Sequence, residues 1–221
     1  MATLPKINDY GLLSERVYQI LKNFIIEGDL EEGAKITEAI ISKQLGVSTT
    51  PVREAIRRLV ADGLITIYPN KRMAITEISV KDIKEVYQLR KVLCGLAVEL
   101  LAKRITDDEI VKFNEIFKEM KTYAGKGDVI AYSKSADKFH SLISHLSGNK
   151  RLENFSNILH EQVYRYRIKS LKVKGRIEKS LNEHRNILEA LSRRDPEKSF
   201  RYCQEHLENA QKNILENAIQ N

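Results

Sequence analysis

Ser42–Leu64 reads SKQLGVSTTPVREAIRRLVADGL, and its second half is a helix with two chemistries. Val52, Ala55, Ile56, Leu59 and Val60 recur at the spacing of a buried helical stripe, while Thr49, Thr50, Arg53 and Arg57 share the opposite side. Such a helix anchors by one face and leaves a cationic edge outside. Working backwards, Thr37 is placed to cap a short helix through Ile40, Ile41 and Leu45, and Gly46 supplies the left-handed turn that only glycine makes without cost. Pro51 falls in the first turn of the next helix, where the earliest N–H groups have no intrahelical partner. The pattern is helix, turn, helix.

Working forwards, Leu64–Tyr68 and Ala74–Ile78 read as two short strands around the turn signal Pro69-Asn70, with Lys71 and Arg72 at the tip. Charge alone does not separate a nucleic-acid face from a solvated one. A helix-turn-helix followed by a basic hairpin is nonetheless the layout of a winged helix, which lays its second helix in a DNA major groove. Upstream, Ser14 is expected to cap a first helix carrying Val17, Ile20, Leu21, Phe24 and Ile25 and ending near Gly28, with residues 1–12 as a loose arm.

The net charge of +7 does not itself argue for DNA. Residues 1–78 hold ten Lys/Arg against ten Asp/Glu, so the excess lies in the C-terminal part. Within Ser42–Ile75, however, six basic residues face two acidic ones, and a local surplus is what phosphates feel. Glu54 stands four residues before Arg58 and is expected to pair with it.

From Ser79 onward strand patterns give way to amphipathic helices broken near Gly125-Lys-Gly127, Gly148, Gly175 and Pro196. This predicts an all-α bundle of six or seven helices over 79–221, behind a winged helix of three helices and a β-hairpin over 1–78. Val86, Leu89, Val92, Leu93, Leu96 and Leu100 mark its first apolar face. Cys94 and Cys203 lie in apolar helical contexts and are expected to be reduced, buried thiols of a cytoplasmic protein. No secretory signal or membrane span is expected.

Bundles build ligand sites from side chains on facing helices, which directs attention to inward polar groups. His140, His184 and His206 lie on three different predicted helices among apolar neighbours, and three converging imidazoles suit Zn²⁺ or a similar divalent ion such as Ni or Mn. The other reading is three hydrogen-bonded core histidines. His145 and His160 fall outside this pattern and read as surface or ordinary structural residues. Arg90, Arg165 and Arg167 are candidates for gripping a carboxylate effector, since arginine is its usual bidentate partner.

The run LGVSTTPVREAIRRLVADGLI and the wing after it resemble the DNA-binding domain of the GntR superfamily. The helical remainder resembles the FCD ligand-sensing domain of the FadR-like subfamily. The resemblance implies a DNA-facing set of Ser48, Thr49, Thr50, Arg53, Arg57, Lys71 and Arg72. Ala39, Thr49 and Arg72 stand where the family usually has arginine, arginine and the wing glycine. ADKFH, NEHRNIL and QEHLENA are similar to the segments with which many FCD domains hold a metal, which implies His140, His184 and His206 as ligands. The family's aspartate falls at Ala136, leaving Asp137 as a displaced fourth ligand.

The expected function is a transcriptional regulator, a repressor rather than an enzyme, acting as a homodimer on double-stranded DNA under control of a small carboxylate. An acyl-CoA or lipid receptor without metal, and a metal-dependent enzyme with a DNA-targeting module, are the alternatives.

Overall fold

The computed structural model describes residues 10–77 and 79–217; the side chains of residues 10–12 and of Arg165 lie outside the described set. The chain forms two compact units, Met1–Ile78 and Ser79–Asn221. Most of the expected N-terminal arm lies outside the described residues.

In the first unit α1 (Tyr10–Glu27), β1 (Lys35–Ile36), α2 (Glu38–Leu45), α3 (Thr49–Ala61), β2 (Ile65–Ile67) and β3 (Met73–Ile75) follow one another. α1 starts at Tyr10, so Ser14 is a buried residue inside it rather than its cap. The turn chemistry of the motif is as its residues dictate. Thr37 accepts a hydrogen bond from the Ile40 amide, and Gly46 closes α2 at φ 65°. Val52, Ala55, Ile56 and Leu59 are buried against Val17, Leu21 and Ile25 of α1, while Arg53 and Arg57 stay outside. The wing strands pair antiparallel, Ile65 opposite Ile75, and β1 adds a third strand beside β3 with Lys35 opposite Ala74. That third strand is too short to leave a period in the sequence.

Among the described residues the second unit is seven helices: α4 (Val80–Ala102), α5 (Asp107–Lys126), α6 (Val129–Leu146), α7 (Lys150–Gln162), α8 (Tyr164–Leu171), α9 (Arg176–Ser192) and α10 (Pro196–Asn217). Capping boxes start α4 at Ser79 and α5 at Thr106, and Asp128 and Asn149 cap α6 and α7. α4 packs most extensively on α10 and also touches α6, α7 and α9. Tyr87, Tyr132, Phe113, Phe139 and Ile187 fill the core.

Two expectations fail here. α4 turns Ile83, Tyr87, Ala97, Val98 and Leu101 inward, whereas Leu89, Val92 and Leu96 are exposed at 56%, 64% and 39%. The helix carries apolar residues on both sides, and spacing alone cannot say which side is the core. The cysteines are not free thiols. Cys94 of α4 and Cys203 of α10 are joined as a disulfide, with Cα atoms 6.6 Å apart. The expectation rested on compartment, but these helices bring the residues within disulfide reach.

Candidate nucleic-acid interface and metal centre

The outward side of α3 carries Thr49, Thr50, Arg53 and Arg57 in one exposed band, preceded by the exposed Ser48 at the N-cap. Arg53 is engaged: its Nε donates to Glu38 Oε1 at 3.0 Å and its Nη2 to Glu38 Oε2 at 2.8 Å, linking α3 to the first turn of α2. Arg58 pairs with Glu15 of α1 rather than with Glu54, and its guanidinium lies 4.0 Å from the Tyr18 ring centroid. It therefore belongs to the scaffold behind the motif. At the wing tip Lys71 adopts φ 59°, and the Arg72 amide donates to Asn70 Oδ1 at 3.1 Å. The left-handed residue of this turn is thus Lys71, not Arg72. Both side chains are exposed, so the tip presents two cations.

In the second unit α6, α9 and α10 bring His140, His184 and His206 together. His140 Nε2 lies 3.1 Å from His184 Nε2 and 3.2 Å from His206 Nε2, and the three can offer ligand atoms all within 4.8 Å of one another. The other nitrogens of His184 and His206 are occupied. His184 Nδ1 is 2.7 Å from the Ser180 carbonyl and His206 Nδ1 is 2.7 Å from Glu183 Oε2. Each such acceptor receives a hydrogen bond from Nδ1–H and leaves an Nε2 lone pair aimed at the cluster. Glu183 is in turn held by both terminal nitrogens of Arg176, at 3.0 Å each. Burial disfavours a charged Glu183, yet hydrogen bonds from His206 and Arg176 outweigh it and hold the carboxyl at about 2. Burial pushes His184 down to about 3 and His140 well below the ordinary imidazole value, with the neighbouring imidazoles adding to the effect. These are neutral nitrogen donors, the form a divalent ion requires.

Asp137 is not in this group. Its Oδ1 sits 2.6 Å from Arg167 Nη2 and 2.8 Å from His160 Nε2. Three residues before His140 rather than four, it leaves the helix in another direction. His160 is therefore a half-buried member of the polar cluster, held at about 4 chiefly by desolvation and then by the nearby Arg167 charge, rather than an ordinary structural residue. His145 is exposed and pairs with Glu153, as its place outside the pattern suggests.

Arg90 and Arg167 both reach the cavity that His140, His184 and His206 line, together with Tyr87 and Tyr132. Arg90 Nη1 and Arg167 Nε are buried donors without a hydrogen-bond acceptor, and burial lowers the Arg90 pKa. The side chain of Arg165 lies outside the described set. Sequence reasoning missed Glu183, Arg176 and Ser180. Glu183 adjoins His184 in NEHRNIL and Arg176 precedes it by two helical turns, a relation that spacing shows only once the histidine is suspected.

Residues 13–75 match the family described as bacterial regulatory proteins, gntR family, and residues 85–209 match the FCD domain. An uncharacterized HTH-type transcriptional regulator, YdhC of Bacillus subtilis (strain 168), is 30% identical over 215 residues, covering 92% of this chain and 93% of that protein. The HTH-type transcriptional repressor RspR of Escherichia coli (strain K12) is 22% identical over 214 residues, covering 97% and 94%. Among solved structures, E. coli McbR/YncC superposes with a TM-score of 0.79 at 23% identity over 92% of this chain and 97% of that one, a likeness of fold. These are regulators of transcription, not enzymes, and the chain belongs to the GntR family of bacterial regulatory proteins, joining its helix-turn-helix to an FCD domain.

Proposed function

We propose that this protein is a homodimeric repressor whose operator affinity is set by a small carboxylate held at a divalent metal in the bundle, Zn²⁺ being the first candidate and Ni or Mn the others. The observation that carries this reading is the histidine cluster beside an unsatisfied buried arginine. His140 Nε2 lies 3.1 and 3.2 Å from the Nε2 atoms of His184 and His206, whose lone pairs are fixed inward by Ser180 and Glu183. Lone pairs that close repel unless a cation or proton sits between them. A neutral His140 can turn its single N–H toward only one of the two, and burial makes a further proton costly, so the donor set fits a metal. Bound there, the ion would offer open positions to an exogenous carboxylate, and Arg90 and Arg167 supply the donors for its other oxygen. Asp137 stays with Arg167 and His160 and serves as a brace for the arginines rather than as a fourth ligand.

DNA recognition is assigned to Ser48, Thr49, Thr50, Arg53 and Arg57 on α3, with Lys71 and Arg72 of the wing at the backbone. One such domain makes too few contacts for tight specific binding, which favours a symmetric pair on a palindromic site. The exposed apolar residues Leu89, Val92 and Leu96 of α4, with Phe155 and Ile158 of α7, a helix packed against α4, support a second copy as their cover. The carboxylate regulates only insofar as it binds one arrangement of the two reading helices more tightly than the other. The setting is cytoplasmic.

The test is metal analysis of purified protein by mass spectrometry, followed by calorimetry with small mono- and dicarboxylates and with acyl-CoA. Stoichiometric metal that is lost in the double variant His184→Ala, His206→Ala, with carboxylate binding lost alongside it, is the expected result. Retained acyl-CoA binding in a metal-free protein would overturn the reading.

A further inference from the structure

We infer that Glu38 is a specificity-determining residue, which fixes the Arg53 guanidinium so that its outer edge is presented to a guanine. The inference rests on the assignment of α3 as the reading helix. A guanidinium has two usable edges: a side edge formed by Nε and Nη2, and an end edge formed by Nη1 and Nη2. Glu38 takes the side edge. Arg53 Nε donates to its two carboxylate oxygens at 3.0 and 3.1 Å, and Nη2 donates to Oε2 at 2.8 Å. Among the described residues no hydrogen bond uses Nη1, and the second hydrogen of Nη2 points along the same free edge. Those two donors are the pair that a bidentate contact to guanine O6 and N7 consumes.

The contact also stops the side chain from sweeping. An exposed arginine with several free torsions loses rotamer entropy when it grips a base, and one already clamped loses less. The clamp is itself anchored. Glu38 is the first residue of α2, where a carboxylate suits the helix N-terminus, and Thr37 caps that same turn through the Ile40 amide. Arg53 is half exposed at 55% of its side chain while Glu38 is at 26%, so the acid sits behind the base. Its charge is thereby covered from the phosphates that α3 approaches. An exposed pair of this kind contributes little to folding stability, which makes its role separable from a structural one.

The experiment uses full-length protein. A pool of random duplexes is selected with wild-type protein and sequenced, and the G·C pairs of the recovered site are then replaced one at a time in equilibrium titrations. Wild type should show at least one G·C pair per half-site whose replacement weakens binding roughly tenfold, within the range of a good arginine–guanine contact. Arg53→Ala should remove that discrimination. Glu38→Ala should cut it to about threefold or less at the same pair, leaving the other positions, the salt dependence and the thermal unfolding midpoint unchanged, and Glu38→Gln should fall between, since an amide keeps one acceptor oxygen. If Arg53→Ala loses the preference while Glu38→Ala keeps it, or binds all sequences more tightly, Glu38 is a bystander or a mask and the inference fails. If Arg53→Ala leaves the profile intact, the assignment of the reading helix fails instead.

Discussion

His160 and His184 set the acid side of the stability curve. Each would titrate near 6.5 in an unfolded chain, but burial holds them at about 4 and about 3 in the folded one. Between those values the unfolded state binds more protons, so stability rises with pH there and is lost as pH falls below about 6.5. Glu183, held at about 2, adds stability that is present above its ordinary value of 4.5 and is lost as pH falls below it. Thermal unfolding followed in chelator from pH 8 to pH 4 should show a level midpoint above about pH 7 and a steady decline below 6.5. His160→Gln should flatten part of that decline, and an unchanged slope would show that the burial of His160 is not what the acid disrupts. At the same scale, Arg90→Gln should abolish the response of DNA binding to carboxylate while leaving operator affinity without effector intact, as read by fluorescence anisotropy. The difference between what sequence and structure say is largest for single side chains. The position of Arg53 on the outer face of α3 was legible from the apolar stripe opposite it. Its partner was not, because Glu38 is fifteen residues away on another helix. Arg58 was assigned to Glu54 by the i,i+4 rule, yet tertiary packing delivered Glu15 instead.

Among the elements, those with strong local grammar were readable. Thr37, Gly46 and Pro51 define the turn between α2 and α3 before any tertiary contact is known, and the glycine and proline breaks of the second unit divide its seven helices. β1 was not readable, since two residues that pair with β3 carry no pattern of their own. α4 was legible as a helix but not as to which side faces inward. The wing turn bears a cost that can be measured. Lys71 holds φ 59°, a region that favours glycine. Lys71→Gly should therefore raise stability by up to about 1 kcal/mol while weakening DNA binding at low salt through the lost cation, and chemical denaturation beside a salt titration separates the two. The tie between α4 and α10 closes a separation of 109 residues. In the chain-entropy description a loop of that size contributes about 4–5 kcal/mol at most. Reduction, or Cys94→Ser with Cys203→Ser, should lower the unfolding midpoint of the second unit, and an identical midpoint in oxidised and reduced protein would show that the bond constrains nothing.

For the molecule as a whole, the test lies on the apolar face that the second unit leaves outside. Leu89, Val92 and Phe155 are exposed at 56%, 64% and 58%, well beyond what an isolated helix surface needs. Val92→Asp with Phe155→Asp should convert a dimer to a monomer in light scattering and weaken operator binding at least tenfold, because a single winged helix reads only half a site. A variant that stays dimeric would place the interface elsewhere. The chain divides into two compact units, Met1–Ile78 and Ser79–Asn221, and the period of the apolar pattern changes at the same place. How the histidines meet was legible only as a possibility, since three helices far apart in sequence had to be folded onto one another first.

The bridge between Cys94 and Cys203 also orders events during biosynthesis. A ribosome must add 109 more residues after Cys94 before the second sulfur exists, whereas the first unit, which ends at Ile78, is fully synthesised before Cys94 itself and is free to fold first. Until then Cys94 is a thiol among unassembled helices, open to the wrong companion. Nascent chains halted before residue 203 should thus react with thiol-alkylating reagents at Cys94, whereas finished protein resists them.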